Sequence, residues 1–539
     1  MTQITDWLNA LPLIVVLGAA VVSTLVEAFV PRGARRVTQI VISLLALVVA
    51  LVSLVWRGTV AVTASTEQGA SGVGIQPIMT TGAGTELFGI NLVQDAFSIL
   101  GQAVILISAI LAFLVIADRS ENRDGAFTAS AATRPGSQEE HESTVAGRVQ
   151  TEIFPLALFA TGGMMAFTSA FDLLTLFISL EVLSLPLYVL CATARRKRLL
   201  SQEAAMKYFI LGAFSSAIFL MGAAFLYGAT GTLFFNGISQ NTMMFYGDDA
   251  DVLFAVGAIM LTVGLLFKIG AVPFHAWTPD VYQGAPSPIT GFMAAGTKVA
   301  AFIALLRVTA YFALPVSNTF TVFLWIVIIA TIVVGTVLGM VQNDVKRMLA
   351  YSSIAHAGFI LIAIVSILGG QLIGEAVASL IFYLLSYGIA SVGAFAIVTL
   401  VRDQDANGNV LGEATNMDSW AGLGKRSPIL ASAMLVFLLS FAGIPLTAGF
   451  IGKFEVFRVG VFTGNTVLVV IAVLASAATA FFYFRLVRLM FFQDPVEGRV
   501  KVVESEGTTV VTIIVAVVLT ILLGVFPDPI IALIQGTIA

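Results

Sequence analysis

Apolar residues run along this chain in stretches long enough to cross about 30 Å of hydrocarbon, which takes roughly 20 residues of helix. About fourteen such runs are read, near 11–30, 37–57, 94–117, 153–170, 172–194, 203–229, 252–284, 289–312, 319–340, 345–367, 375–401, 428–462, 466–490 and 509–533. The runs 252–284 and 428–462 are too long for one straight helix and carry the interruptions KIGAVPF and FAGIPLTAGFIGKF. Each is read as one discontinuous span. The expectation is an all-α polytopic membrane protein.

Composition strengthens that class. The chain has 539 residues, 58% hydrophobic and only 11% charged, with a mean hydropathy of +0.99, beyond a soluble globular composition. The single cysteine, Cys191, lies in an apolar segment and excludes a disulfide framework or a cysteine-ligated iron–sulfur or zinc site within the chain. It is read as a packing residue. The N-terminal stretch MTQITDWLNALP has no Lys or Arg before Arg32, so the first run is expected to be a retained span and not a cleaved signal.

Charge in the connections sets an orientation. Basic residues cluster in alternate loops, at Arg32, Arg35 and Arg36; at Arg119, Arg123, Arg134 and Arg148; at Arg195, Arg196, Lys197 and Arg198. They recur at Lys346 and Arg347, at Arg402, Lys425 and Arg426, and at Arg499 and Lys501, whereas the loop 246–251, YGDDAD, is acidic. By the positive-inside rule the basic loops face the cytoplasm and both termini lie on the outer, periplasmic side of a bacterial plasma membrane. The hydrophilic stretch 118–150 reads as a solvated cytoplasmic connection. No loop is long enough for a nucleotide or flavin fold, and GLGKRS at 422–427 lacks the spacing of a phosphate-binding loop.

Ionisable residues inside the runs are the candidates for function. Glu181 sits near the middle of its span in FISLEVLSLPL, and Lys298 in GTKVAAF is similarly deep. Lys268 and Lys453 stand beside the two interruptions, and Lys207 follows Glu203 by one turn at the cytoplasmic start of another span. At depth each of Glu181, Lys268, Lys298 and Lys453 costs several kcal/mol unless a polar partner or water meets it. Glu203 and Lys207 also fit an ordinary interfacial helix pair. His275 and His356 fit either satisfied core histidines or proton-handling groups. Arg307, Arg485 and Arg488 lie near span ends and are expected to snorkel.

The arrangement repeats. Spans four to eight hold a charged fifth span and a broken seventh with Lys268; spans nine to thirteen hold a polar tenth span, YSSIAHAGF, and a broken twelfth with Lys453. Five is odd, so the second unit inserts upside down relative to the first, an organisation that points to ion transfer. The expected divisions are three N-terminal helices over 1–117, the loop 118–150, a first repeat over 151–312, a second over 319–491 and a C-terminal transmembrane helix within 505–539.

The motifs FKIGAVPFHAWTPDVYQGAPSPITGFMAAGTKVAAF, FISLEVLSLPLYVL, DVKRMLAYSSIAHAGF and GIPLTAGFIGKF resemble the antiporter-like proton-translocating subunits of respiratory complex I and the large subunits of multi-subunit sodium/proton antiporters. The likeness covers about 90–535. Within that family EAAMKYFILGAFSSA, a lysine at 453 where another subunit type carries Glu, and a chain ending after the fourteenth span without a lateral amphipathic helix single out one subunit type. The resemblance implies Glu181 and Lys207 as a modulating charge pair, Lys268 and Lys298 as central proton carriers and Lys453 as the exit-side carrier, with Glu203, His275 and His356 auxiliary. It implies no cofactor or metal in this chain. NADH, flavin, iron–sulfur clusters and quinone would belong to partner subunits, among them two further antiporter-like subunits and small membrane subunits, all in a lipid bilayer without nucleic acid. The stretch 118–150 is longer than the family pattern.

The physics of these side chains agrees. Desolvation draws the pKa of a buried lysine toward neutrality and a nearby carboxylate raises it again. Moving a cation about 7 Å from a carboxylate changes the energy by a few kcal/mol at an effective dielectric near 20, comparable to the roughly 2.3 kcal/mol needed per charge against 100 mV. A sodium/proton antiporter subunit or a related membrane-bound hydrogenase shares every motif and stays open. A stand-alone solute carrier or channel also stays open, and the absence of a recognisable organic-substrate pocket argues against it.

Overall fold

The structure, a computed structural model, describes residues 2–67, 92–119, 125–129, 133–134, 137–139, 142, 150–245, 252–312, 317–370, 372–405, 410–495 and 500–538. Helices α1 (Thr2–Phe29), α2 (Arg32–Glu67) and α3 (Ala96–Ala117) come first. They are followed by α4 (Ile153–Ser169), α5 (Leu173–Cys191), α6 (Arg198–Thr230), α7 (Phe235–Phe245), α8 (Val252–Ile269), α9 (Trp277–Gly284) and α10 (Ser287–Phe312). The second half holds α11 (Ser317–Met340), α12 (Val345–Ile367), α13 (Ile373–Leu400), α14 (Pro428–Ala442), α15 (Ala448–Phe462) and α16 (Thr466–Phe492). Helices α17 (Thr508–Val525) and α18 (Asp528–Ile538) close the chain.

Among the described residues twelve helices are long and apolar enough to cross a membrane, and the shorter apolar helices α4 and α14 fall in the fourth and twelfth of the expected runs. Aspartates start several of them. Asp95 accepts from the Ser98 amide (2.9 Å), Asp172 from the amides of Leu174 and Thr175 (2.8 and 2.9 Å) and Asp344 from that of Arg347 (3.0 Å). Each carboxylate satisfies N–H groups that the first turn leaves without an intrahelical partner.

Burial sorts the helices into layers. The most apolar windows of α10, α12 and α13 are buried throughout, whereas only a third of those of α1, α2, α6 and α16 is. With hydrocarbon outside, the exposed flanks of the latter, such as Val48, Phe214 and Leu474, face lipid. Helix α6 packs on α8, α11 on α12, α4 on α5 and α13 on α15, so the three central helices are walled in by both halves of the chain.

Both expected interruptions are present and share one local cause. After α8 the Gly270 amide donates to Phe267 O (3.0 Å) and the Ala271 amide reaches back to Leu266 O (2.9 Å). After α14 the Gly443 amide donates to Ser440 O (3.1 Å) and the Ile444 amide to Leu439 O (3.0 Å). This is the same Schellman closure twice, with the glycine left-handed at φ 81° and 79°. Pro273 and Pro445 follow within three residues and bar the helix from continuing. A π-turn, Met293–Thr297, interrupts α10 directly before Lys298, a feature not foreseen in the sequence.

Three further differences have physical reasons. The run 509–533 is not one helix: Pro527 separates α17 from α18, because proline cannot supply the amide that continuation needs. The all-α expectation holds for the membrane part, but β1 (Val401–Gln404), β2 (Val410–Glu413) and β3 (Val500–Val502) form an antiparallel sheet in the order β2-β1-β3. Its sequence signal is the Asn407-Gly408 pair between two short β-favouring runs, residues that lie outside the described ones. Helix α7 was also missed, between the sixth and seventh runs. Most of 118–150 and all of 246–251 lie outside the described residues.

A methyl group added at Gly443 would sit 2.9 Å from Lys453 Cδ, whereas at Gly464, with φ 83°, it meets nothing within 4 Å. Both alanine substitutions carry the left-handed penalty of about 1–2 kcal/mol. Gly443→Ala is expected to shorten the thermal half-life of the purified protein more than Gly464→Ala does. Equal half-lives would contradict the tight seat of Lys453.

Candidate functional site

Three lysines lie at the heart of the bundle, with 2%, 3% and 4% of Lys268, Lys298 and Lys453 exposed. Lys268, in the last turn of α8, donates to Ser184 Oγ (2.7 Å) on α5 and to Tyr208 Oη (3.0 Å) on α6. Lys298, following the π-turn, donates to the Ser353 carbonyl of α12 and lies 5.2 Å from the centre of the Tyr387 ring. Lys453, on α15, turns back onto the end of α14 and donates to Phe441 O (2.8 Å), Ala442 O (3.1 Å) and Ser476 Oγ (2.8 Å). The C-terminal carbonyls of a helix carry its partial negative charge, so the interruption itself provides the seat for this cation.

Hydroxyl and imidazole groups occupy the space between. Tyr208 stacks on Trp277 (4.6 Å between ring centres), Trp277 meets Tyr282, and Tyr282 Oη lies 3.4 Å from Ser353 Oγ. His356 is buried with Nδ1 2.8 Å from Tyr383 Oη and Nε2 3.3 Å from Tyr483 Oη, and its ring centre lies 5.0 Å from that of Tyr387. Phe441, whose carbonyl holds Lys453, is 5.7 Å from the same imidazole. From Lys268 through Lys298 and His356 to Lys453 the interior is thus lined by O–H and N–H groups, of which the hydroxyls and the imidazole both donate and accept.

The other expected site residues fall differently. Glu181 is half-buried and accepts from Ser216 Oγ (2.6 Å), three residues before the Ser184 that holds Lys268. It is not paired with Lys207. Lys207 instead donates to Asp280 (2.8 Å) and Glu203 (2.8 Å). The reason is axial distance: Ser216, level with Glu181, lies nine residues beyond Lys207 on α6, roughly 13 Å along the axis. His275 is half-buried beside the first interruption, its Nδ1 without a hydrogen-bond partner among the described residues, and it makes none of the contacts above.

The structure corrects the snorkelling assigned to Arg307, which is fully buried and bidentate on Asp95 (2.7 and 2.9 Å), with further bonds to Ser98 Oγ and Thr168 O. Arg485 reaches the carbonyls of Met340 and Gln342 at the end of α11. Lys346, also buried, pairs with Glu413 of β2 (2.9 Å). Burial pushes the Glu413 carboxyl up, but Lys346 and Arg402 beside it outweigh this and hold it below the usual glutamate range. That pairing therefore adds stability above the ordinary glutamate pKa and loses it as pH falls through the lowered one. The residues missed in the sequence are mostly neutral: Ser184, Tyr208, Ser353, Tyr383, Tyr387, Tyr483 and Ser476. The four-residue spacing of Tyr383 and Tyr387 in IFYLLSYG was the available signal for one shared helix face.

A polytopic bundle with interrupted helices and a line of buried lysines defines an antiporter-like membrane protein. Residues 170–479 match the transmembrane family described as NADH:quinone oxidoreductase/Mrp antiporter. NADH-quinone oxidoreductase subunit N of Beutenbergia cavernae is 50% identical over 538 residues, 98% of this chain and 97% of that protein. Respiratory complex I from Thermus thermophilus with bound aureothin contains a chain that superposes with a TM-score of 0.71 at 30% identity, over 97% of this chain and 98% of that one. A chain of the Mrp complex from Dietzia sp. shares the fold (TM-score 0.76, 19% identity, covering 100% of this chain and 97% of that one). The chain belongs to this family, in the branch of NADH-quinone oxidoreductase subunit N, the subunit type that Lys453 and the sixth-span motif indicate.

Asp95→Asn should leave the Arg307 guanidinium buried without its counter-charge, a loss on the order of 3–5 kcal/mol, seen as absence of the chain from assembled membranes. Lys268→Met strands no carboxylate and should assemble at normal levels. Immunoblots of membrane fractions compare the two, and the opposite ranking would contradict this division of the buried cations.

Proposed function

We propose that this chain moves protons across the bilayer as the membrane subunit N of an NADH:quinone oxidoreductase. NADH oxidation, flavin and iron–sulfur electron transfer and quinone reduction take place in partner subunits, including other antiporter-like and small membrane subunits. The observation that carries the reading is the partner set of the three central lysines: among the described residues none of Lys268, Lys298 and Lys453 has a carboxylate within salt-bridge distance. A cation placed for stability alone would be paired, as Arg307 and Lys346 are. These amines rest on hydroxyl and carbonyl oxygens, which hold them in place without the fixed counter-charge that would keep a cation permanently protonated.

In this account protons pass along Lys268, Lys298 and Lys453, with His356 and the surrounding tyrosines bridging the second part of the route. Glu181, one helical turn from Ser184, modulates the charge on Lys268. Lys207 modulates from the cytoplasmic side through Asp280 and Glu203. The two Schellman interruptions, five spans apart, support two inverted five-helix units. The basic loops support a plasma-membrane orientation with both termini outside. The likeness to the Mrp chain, at 19% identity, supports the shared fold only.

Proton pumping driven by NADH in inverted membrane vesicles, at matched assembly, tests the reading. Lys268→Arg should fail nearly as fully as Lys268→Ala, because arginine keeps the charge and does not release a proton in a protein. Glu181→Gln should depress pumping with assembly intact. Normal pumping by Lys268→Arg would overturn the carrier role, and pumping that requires sodium would favour the antiporter reading.

A further inference from the structure

Asp280 takes no part in the lysine line, yet it is bonded from two other helices, α6 and α12. Helix α9 begins at Trp277, shortly after the first interruption, and packs against Phe267 and Tyr208 beside Lys268. The Trp277 indole donates to Phe267 O (2.9 Å) and stacks on Tyr208, whose hydroxyl accepts from Lys268. One turn further along α9, Asp280 Oδ2 accepts from Lys207 of α6 (2.8 Å) and Oδ1 from Arg347 of α12 (2.6 Å). Arg347 also donates to Gln283 Oε1 (3.1 Å), and Gln283 in turn donates to Asp344 (2.9 Å), the residue that caps α12. A single carboxylate on an eight-residue helix is therefore shared by one cation from the first half of the chain and one from the second.

We infer that Asp280 is a positioning residue that latches α9 against Lys268, and that release of either cation lets α9 tilt and admit cytoplasmic water to that lysine. The inference rests on the proton-carrying reading above. Geometry favours a latch over a fixed brace. Lys207, Asp280 and Arg347 keep 44%, 31% and 27% of their side-chain surface exposed, against 1% and 21% for Arg307 and Asp95, and more solvated pairs break and re-form more readily. Helix α9 is only two turns long, and Asp280 is its one charged side chain. Its first residue, Trp277, is stacked on Tyr208, one of the two groups that hold Lys268, so a tilt at Asp280 is felt there. The latch further ties the first half to the helix carrying Ser353 and His356, because Arg347 sits in the first turn of α12.

Inverted vesicles containing the assembled complex give two readouts, protons pumped per NADH oxidised and the passive proton leak without NADH. Asp280→Asn is expected to raise the leak and lower the pumped ratio, each by roughly threefold or more, the scale of a lost contact between neighbouring groups. Asp280→Glu should restore both. Arg347→Gln, which leaves Lys207 paired, should move both in the same direction, and it stands as the deciding variant if Asp280→Asn does not assemble. The double variant Lys207→Met/Asp280→Asn should be no worse than Asp280→Asn alone. Unchanged leak and ratio in the assembled single variants, or effects that add in the double variant, would overturn the latch. If Lys268→Arg fails to pump while these variants behave normally, the latch falls and the carrier reading stands; if Lys268→Arg pumps normally, the carrier reading itself falls.

Discussion

Hydrocarbon does not solvate a charged amine, and every buried cation in this bundle reflects that constraint. Two solutions occur side by side. Arg307 and Lys346 sit on carboxylates, Asp95 and Glu413, where they stitch distant parts of the chain together. Lys268, Lys298 and Lys453 sit on hydroxyl and carbonyl oxygens. The first arrangement fixes a charge against a carboxylate; the second holds the amine on neutral oxygens, the arrangement on which the proposed proton-carrying role rests.

The helix interruptions follow from the same constraint. A continuous transmembrane helix uses all its backbone groups on itself and has none to offer a side chain. Ending α14 in a left-handed glycine frees the carbonyls of Phe441 and Ala442, and Lys453 takes them. Near α10 the π-turn stands directly before Lys298, and after α8 the chain returns so that Trp277 stacks on Tyr208, one of the groups that hold Lys268. Of the three interruptions only the π-turn lies in a helix buried throughout, whereas the break after α14 leaves Ile444, Pro445 and Leu446 exposed.

Much of this was legible in the sequence. Long apolar runs have one outcome in a bilayer, so most of the apolar helices and both interruptions followed from hydropathy and from Gly270, Pro273, Gly443 and Pro445. Isolated lysines in such runs cannot be accidental, which exposed Lys268, Lys298 and Lys453. Pairing was not legible. Glu181 and Lys207 were joined on charge and family likeness, whereas the helical rise separates them and brings Asp280 to Lys207 from a helix whose approach no local pattern encodes. Arg307 was misread for a related reason: proximity to a span end suggested lipid, but its helix is central, and Asp95 comes from a segment 212 residues away. The tyrosines and serines were passed over because a neutral hydroxyl in an apolar run costs little and raises no alarm.

The central claim is that the buried amines work by releasing protons and not merely by being positive. Lys298 tests it most directly, since its ammonium rests on the Ser353 carbonyl and the Tyr387 face with no counter-charge to disturb. The measurement is the number of protons translocated per NADH oxidised by the assembled complex carrying Lys298→Arg, in vesicles of matched content. The account predicts a clear fall in that ratio, because the arginine stays protonated at this position. A ratio equal to that of the unmodified protein would contradict it.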